Sequence, residues 1–370
     1  MRILHVLAER GFSGGENQLL ATLRHLQSRG HEQVLVLGSG GRFQEHVQVL
    51  GLETHSLKIR HNYDVVAAGY LRKHFRRIAP DLIHFACSRS HKVGALASAF
   101  GRSLPPRVVT RRMDYPIRNT PFRRWIYGRA VTAVVAISEE VRNTVLEVGV
   151  DPARVHLIHE GVDTHRFEGL RDPGRRLAAR AHLGLTEDDI LGVTIASLHR
   201  RKAHDVLLRA IDKLRIPTGK HLGWLFGGDG PERESLADQA ARLSGRFELR
   251  MPGQIDYVED ALSAADVFCI PSRYEGLGVA LLEAAAAGVP AVATYVGGMK
   301  EVLESGRSGI HVQPDDPEEL AAAIQSLIDD PSGAEAMGEA ARTRAQEFFS
   351  VERMGRETEE LYLRLSGGTA

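Results

Sequence analysis

Short apolar runs alternate with segments of helical spacing along almost the whole chain, and this alternation starts twice. In the first pass Ile3–Leu7, Gln33–Leu37, Thr54–Leu57, Leu82–Phe85, Val108–Thr110 and Val131–Ile137 read as strands. Helices are expected at Gln18–Leu26, Phe43–Leu50, Val65–Ile78 and Ala95–Phe100. Strands that alternate with helices must pair in parallel, because each helix carries the chain back across a face of the sheet. The pattern lapses over Asp163–Arg180, where Arg171-Asp172-Pro173-Gly174 and a run of charge read as a linker. It then resumes, with strands at Ile190–Ala196, Leu222–Phe226, Phe247–Leu249, Val267–Ile270 and Val289–Ala293. Helices near 204–215, 232–243, 257–264 and 278–287 fall between them. The expected fold is α/β, with two doubly wound domains over residues 1–168 and 169–347. Residues 348–370 hold Phe348, Phe349, Leu361, Tyr362 and Leu365 at helical spacing, and form a closing helix that crosses back to the first domain.

A chain of 370 residues, 43% apolar and 25% charged, can bury two cores of ordinary size, which excludes disorder and fibre. Its 47 Lys and Arg balance 47 Asp and Glu, so it lacks the electrostatic footprint of a nucleic-acid binder. The balance hides a polarity: residues 1–168 hold 24 basic and 15 acidic residues, and the remainder 23 and 32. Cys87 and Cys269 sit far apart in apolar runs and read as reduced thiols rather than a disulfide framework. No stretch of about 18 apolar residues occurs, and residues 1–11 lack the features of an export signal, so a cytoplasmic chain is expected.

The densest chemistry lies between Pro271 and Pro290. A strand ends at Ile270, Glu275-Gly276-Leu277-Gly278 forms a loop, and an Ala-rich helix follows. Free N–H groups at a helix start, made approachable by glycine, suit phosphate. Glu275 precedes that helix and Glu283 lies inside it, at most about 12 Å further along the axis. That span matches a nucleotide sugar, with one carboxylate on sugar hydroxyls, the helix start on the diphosphate and the other carboxylate on ribose. The competing description makes Glu275 a solvated loop residue and Glu283 a surface helix position. Gly11–Asn17 is a second glycine-rich turn between strand and helix, without the full dinucleotide-binding spacing. No Asp-x-Asp occurs and the 17 histidines show no paired ligand spacing, so no metal is expected.

This run, followed by Ala284, Gly288, Pro290 and Gly297-Gly298 with Glu301, resembles the retaining GT-B glycosyltransferases of family 4, the group 1 glycosyl transferases. Gly14-Gly15-Glu16-Asn17, Glu160-Gly161-Val162-Asp163, Lys202 with His204-Asp205, Gly228-Asp229-Gly230-Pro231 and Ala265-Asp266-Val267 agree in order. The resemblance implies two Rossmann-like domains, an acceptor in the first and a nucleoside-diphosphate sugar in the second, with catalysis in the cleft between. The nucleotide sugar is a co-substrate, and no other cofactor is implied. By similarity Glu275 contacts the donor sugar near the reacting carbon, Glu283 binds ribose, and Lys202 neutralises the diphosphate as its charge grows. Arg200 or Arg201 shares that role, Gly276, Leu277 and Gly278 line the phosphate loop, and Gly14, Gly15 and Glu16 face the donor phosphates. The implied acceptor is a glycan or glycolipid, as in cell-envelope polysaccharide or lipopolysaccharide synthesis.

The sequence departs from the family pattern at several positions. Ser197 stands where an Arg is common, Ala203 where Gly follows the Lys, and Glu160 where Asn precedes Gly-Val-Asp. The His usual after the fifth strand is absent from Val108–Tyr115. There Asp114 could orient the acceptor hydroxyl or take its proton, and Arg112 could bind an anionic acceptor; the alternative is a structural Arg112–Asp114 salt bridge. Basic stretches with an apolar face, Tyr70–Ile78 and Phe122–Tyr127, suit either sheet packing or peripheral contact with an anionic membrane surface. A sugar-nucleotide epimerase on the same fold, or a catalytically weak nucleotide-sugar-binding protein, are the alternatives to transfer.

Overall fold

Seven parallel strands make the first sheet, in the order β3-β2-β1-β4-β5-β6-β7, and six make the second, in the order β10-β9-β8-β11-β12-β13. The computed structural model describes residues 1–9, 11, 14–99, 104–243 and 247–367, so Phe12 and Ser13 of the expected glycine loop and Phe100 of an expected helix lie outside the described residues. The chain divides into two compact units, Met1–Gly161 with Val351–Ala370, and Val162–Ser350.

In the first unit the strands are β1 (Arg2–Leu7), β2 (Glu32–Gly38), β3 (Glu53–Leu57), β4 (Leu82–Phe85), β5 (Arg107–Arg111), β6 (Ala133–Ala136) and β7 (Val155–Leu157). The helices between them are α1 (Gly14–Ser28), α2 (Phe43–Val49), α3 (Val65–Ile78), α4 (Ser88–Ser98), α5 (Pro121–Gly128) and α6 (Glu139–Leu146). The central strands are buried along their length, as expected of a parallel sheet with both faces covered. Leu71, Phe75 and Ile78 of α3 face the core together. β7, three residues long, left no readable apolar run.

In the second unit α7 (Pro173–His182) leads to β8 (Ile190–Ile195), α8 (His204–Ile211), β9 (Leu222–Gly227), α9 (Arg233–Ala241), β10 (Phe247–Gly253) and α10 (Val258–Ala264). Then follow β11 (Val267–Ile270), α11 (Val279–Ala286), β12 (Ala291–Thr294), α12 (Met299–Val302), β13 (Ile310–Val312), α13 (Pro317–Asp329) and α14 (Pro331–Phe348). Both cysteines are free thiols, and no helix of the described residues is long and apolar enough to cross a membrane.

The linker expected over Asp163–Arg180 is not a linker. Thr164–Phe167 forms a 3-10 turn and Pro173–His182 is α7, which packs on α10. The charge run is arginine turned inward. Arg171 Nη1 donates to Ala265 O at 2.7 Å, Arg176 Nη1 to Ala265 O at 2.7 Å and Arg180 Nη1 to Ala264 O at 2.8 Å. These carbonyls end α10 and have no partner within it, so the guanidinium groups satisfy them and complement the helix dipole. Asp266 completes the cluster by pairing with Arg176 and Arg180 and accepting Leu191 N–H at 2.8 Å, which ties α7 to β8.

The last helix, α15 (Val351–Leu365), belongs to the first unit. Met354, Leu361 and Tyr362 join a core cluster with Ile3, Leu26, Leu82 and Val108. Glu359 accepts from His31 Nε2 at 2.9 Å, His25 Nε2 at 3.1 Å and Arg29 Nε at 3.3 Å, with its side chain only 11% exposed. Burial opposes its ionisation, but the bonds from His31, His25 and Arg29 outweigh it and hold the carboxyl below its ordinary value. Glu359→Ala leaves the largely buried imidazoles of His25 and His31 without an acceptor, while the exposed Arg29 turns to water, and is expected to cost about 2 kcal/mol at pH 7. Because the folded pKa is depressed, that contribution is present above the ordinary carboxylate range and is lost as pH falls through it. Urea unfolding of both proteins at pH 7 and pH 4 checks this; equal midpoints at pH 7 would remove Glu359 as the anchor of α15.

Candidate active site

In an open parallel sheet, loops leaving two neighbouring strands on opposite sides of a strand-order reversal diverge and leave a crevice at the carboxyl ends. In the second unit that reversal lies between β8 and β11, which pair through Gly192–Val267 and Val193–Phe268. The loop after β8 ends in a 3-10 turn, Arg200–Lys202, and the loop after β11 carries Glu275–Gly278. Lys202 Nζ bonds Glu275 Oε2, and the two side chains are 10% and 13% exposed. Ser272 Oγ donates to the same Glu275 oxygen at 3.2 Å.

Arg273 stitches the two loops together. Its N–H donates to Arg201 O at 2.8 Å, and its guanidinium spans Asp205 Oδ2 at 2.9 Å and Asp315 Oδ1 at 2.7 Å. Arg200 is exposed and Arg201 half-buried, and the carbonyl oxygens of both hold Arg273.

Ala203 follows Lys202 with φ 53 and ψ 35, a left-handed conformation. That costs a non-glycine residue about 1–2 kcal/mol, a conformational reason for the glycine that the family pattern has there. Here the methyl group is fully buried in the core cluster that holds Val206 and Leu207, which offsets part of the cost.

Gly278, at φ 92, caps α11, and a Cβ there would meet Met299 Cγ at 3.1 Å. Leu277 is buried and anchors the loop, while Gly276 O accepts Gly298 N–H at 3.0 Å. Leu281 and Leu282 are the first residues of α11 to bond back to Gly278 O, at 2.9 and 3.1 Å. The N–H groups before them have no partner within the helix, an open first turn of the kind that accepts an anion. Glu283 lies further into α11 with its side chain 17% exposed. Burial raises its carboxyl to about 7; Arg166, 4.0 Å away, opposes this, and Glu259 adds to it. Arg166 is itself bonded to Glu259 Oε1 at 2.6 and 3.0 Å.

In the first unit the order reverses between β1 and β4. Arg112, just past β5, donates from Nε to Glu160 Oε1 at 2.6 Å and from Nη1 to Ala86 O beyond β4. A Cβ on Gly15 would stand 3.2 Å from Arg112 Cδ, so the start of α1 lies against the same side chain. Gly14 opens α1, and Glu16 is buried in its first turn. Gln18 clasps Gly161 from both sides, donating to its O at 2.8 Å and accepting its N–H at 3.0 Å, which fixes Glu160. The Arg112–Asp114 salt bridge weighed from the sequence is therefore corrected: the partner of Arg112 is Glu160, and Asp114 is half-buried nearby in sequence. Arg111 instead bonds Tyr127 OH at 3.0 Å and Tyr115 O at 2.7 Å.

The structure thus brings together Lys202 with Glu275, and Gly15 with Arg112. Sequence reasoning left out Glu160, Gln18, Arg166 and Arg273 as site residues. Glu160 carried a signal, its departure from the family's Asn; for Arg166 nothing local marked it.

Residues 176–344 match the family model Glycosyl transferases group 1, and residues 12–166 match Glycosyltransferase Family 4. The alpha-maltose-1-phosphate synthase of Mycobacterium tuberculosis (strain CDC 1551 / Oshkosh) is 33% identical over 284 residues, which cover 70% of this chain and 72% of that one. The chain belongs to the group 1 glycosyltransferases. This glycosyltransferase is also 33% identical, over 213 residues, to the D-inositol 3-phosphate glycosyltransferase of Geodermatophilus obscurus, covering 55% of this chain and 46% of that one. In fold it is similar to Anabaena Alr3699/HepE, solved in complex with UDP, with a TM-score of 0.85 and 20% identity over 98% of this chain and 99% of that one. The two doubly wound sheets are those of the GT-B fold.

Proposed function

We propose that this glycosyltransferase moves a sugar from a nucleoside-diphosphate sugar to a glycan or glycolipid acceptor of the cell-envelope kind, retaining the anomeric configuration and using no metal. The carrying observation is the Lys202–Glu275 pair beside the open first turn of α11, at the strand-order reversal of the second unit. The leaving diphosphate gains charge as its bond to the sugar breaks, and a fixed cation and oriented N–H groups lower that cost. Lys202 and the first turn of α11 fill these roles, with Arg200 or Arg201 beside them. Glu275 holds the sugar near its reacting carbon and Glu283 the ribose hydroxyls. On the same face, the acceptor oxygen bonds the anomeric carbon as the diphosphate departs, and the departing phosphate oxygen takes the acceptor proton. Following the family resemblance, we assign Gly14, Gly15 and Glu16 to the donor phosphates, and Arg112 and Asp114 to the acceptor. The complexes of HepE with UDP and with UDP-glucose support a nucleotide-sugar donor. The basic faces of α3 and α5 favour a place at the cytoplasmic surface of an anionic membrane.

The test is a thermal-shift panel of UDP-, GDP-, ADP- and dTDP-glucose, with EDTA present. A donor at a hundred times its Kd stabilises the folded state by about 2.7 kcal/mol, and a shift with one base that vanishes in Lys202→Ala is expected. Absence of a shift with every nucleotide sugar, and of any transfer, would overturn the reading; an inverted anomeric proton in the product would overturn retention alone.

A further inference from the structure

In the second unit the 3-10 turn Thr164–Phe167 packs on α11 and brings Arg166 to Glu283. Phe167, 1% exposed, anchors the turn, and the Arg166 guanidinium lies 5.2 Å from the centre of its ring, which holds the charge in place. One edge of the guanidinium is already committed. Its Nε and Nη2 donate to Glu259 Oε1 at 3.0 and 2.6 Å. Nη1 is left towards Glu283 Oε1 at 4.0 Å, an ion pair too long to be a hydrogen bond.

One cation thus serves two carboxylates. It bonds Glu259, in the first turn of α10, and only partly offsets the charge of Glu283. Glu283 is 17% exposed, too little for water to hold its charge, and burial raises the carboxyl to about 7. Arg166 and Glu259 are the charges that act on it. Asp163 and the His165–Glu168 pair flank Arg166 on its own turn. The strands beside α11, β11 and β12, carry no charged residue. Of the groups on α14 and α12, which also pack on α11, Arg342 pairs with Glu339, Arg344 with Glu304, and Lys300 lies over the Tyr295 ring. A ribose presents two adjacent hydroxyls, both able to donate, and an ionised carboxyl accepts from each where a protonated one has given up part of its acceptor capacity. The ligand's hydroxyls therefore take the place of the proton.

We propose that Arg166 is a positioning residue of the donor site: shared with Glu259, it keeps Glu283 poised between a proton and a ribose, so that nucleotide-sugar binding releases a proton and weakens in mild acid. The inference rests on Glu283 being the ribose contact, and it adds the two residues that set the charge of that contact.

The test measures binding of UDP-, GDP- and ADP-glucose to the full chain by calorimetry between pH 6 and pH 9. The diphosphates of these sugars are diesters that do not titrate in this range, so a change in affinity belongs to the protein. In the parent, affinity should be about tenfold lower at pH 6 than at pH 8, following the ionised fraction of Glu283, with about one proton released at pH 6. Arg166→Met removes the offsetting charge and should move the midpoint up by about one pH unit. Glu259→Gln removes the competing carboxylate, turns Arg166 to Glu283 and should move the midpoint down by about as much. Arg166→Lys keeps the charge and should restore most of the parent's profile, and Glu283→Gln should flatten it. A residue that only stabilised the turn would not move the midpoints in opposite directions. A flat profile in the parent, midpoints that stay or move together, or a loss of affinity equal at every pH overturns the role of Arg166 and leaves the donor site standing. Failure of all three nucleotides to bind the parent at any pH overturns the donor reading and this inference with it, so the two failures are separable.

Discussion

Lys202→Ala is expected to lower kcat/KM by about 10²–10³, the usual loss when one preorganised stabiliser of transition-state charge is removed. Its effect on stability is expected to be as informative. Lys202 and Glu275 are 10% and 13% exposed, so deleting the cation leaves a largely desolvated carboxylate held by the Ser272 hydroxyl. Breaking a buried pair from one side costs about 3–5 kcal/mol, because the survivor keeps its desolvation penalty. Glu275→Ala should do the same from the other side. The double variant Lys202→Met/Glu275→Leu removes both charges and is expected to be more stable than either single variant, yet equally inactive. Calorimetry on the cycle, with transfer measured beside it, separates the two roles. Turnover within tenfold of the parent in any of the three would take the pair out of the chemistry.

Glu283→Gln is expected to do the opposite, stabilising the free protein while weakening its donor binding. The folded carboxyl sits at about 7, raised mainly by burial, against an ordinary value of 4.5. Between those values the folded state holds a proton that the unfolded state has released, so stability falls as pH rises from 4.5 to 7. At about 1.4 kcal/mol per unit the loss is on the order of 3 kcal/mol, complete above the folded value. Glutamine carries no such penalty. The variant should therefore melt several degrees higher at pH 8 and at the parent's temperature near pH 4. A carboxylate kept at that cost has a use when ligand arrives, and the reading of Glu283 as the ribose contact requires weaker binding of the nucleotide sugar by the variant. Equal melting at pH 8 would show that Arg166 neutralises Glu283 fully in the free protein.

Much of the fold was legible because the signals are local. A strand of four to seven residues buried on both faces leaves an apolar run, as at Leu222–Gly227 and Val267–Ile270, and a helix leaves its period, as in α3. β7 and β13 were missed because three residues are too few for either pattern. α7 was read as linker because its arginines look solvated in sequence, and only the uncapped carbonyls of α10 give them a buried purpose.

At the candidate site, residue types and glycine spacing alone pointed to Glu275, the glycine loop and Glu283, because a helix start that binds phosphate is a local object. Pairing is not. Lys202 and Glu275 are 73 residues apart, and they meet because β8 and β11 are neighbours at a reversal of strand order. Arg112 and Glu160 are 48 apart, and the Gln18 clasp on Gly161 holds the second against the first. The left-handed backbone at Ala203 and the shared Arg166 between Glu259 and Glu283 belong to the same class. The chain's order of residues determined which elements form and which groups are available for chemistry. The tertiary structure decided which charges are neutralised and which stay poised, because desolvation and pairing depend on neighbours that only the packed sheet supplies.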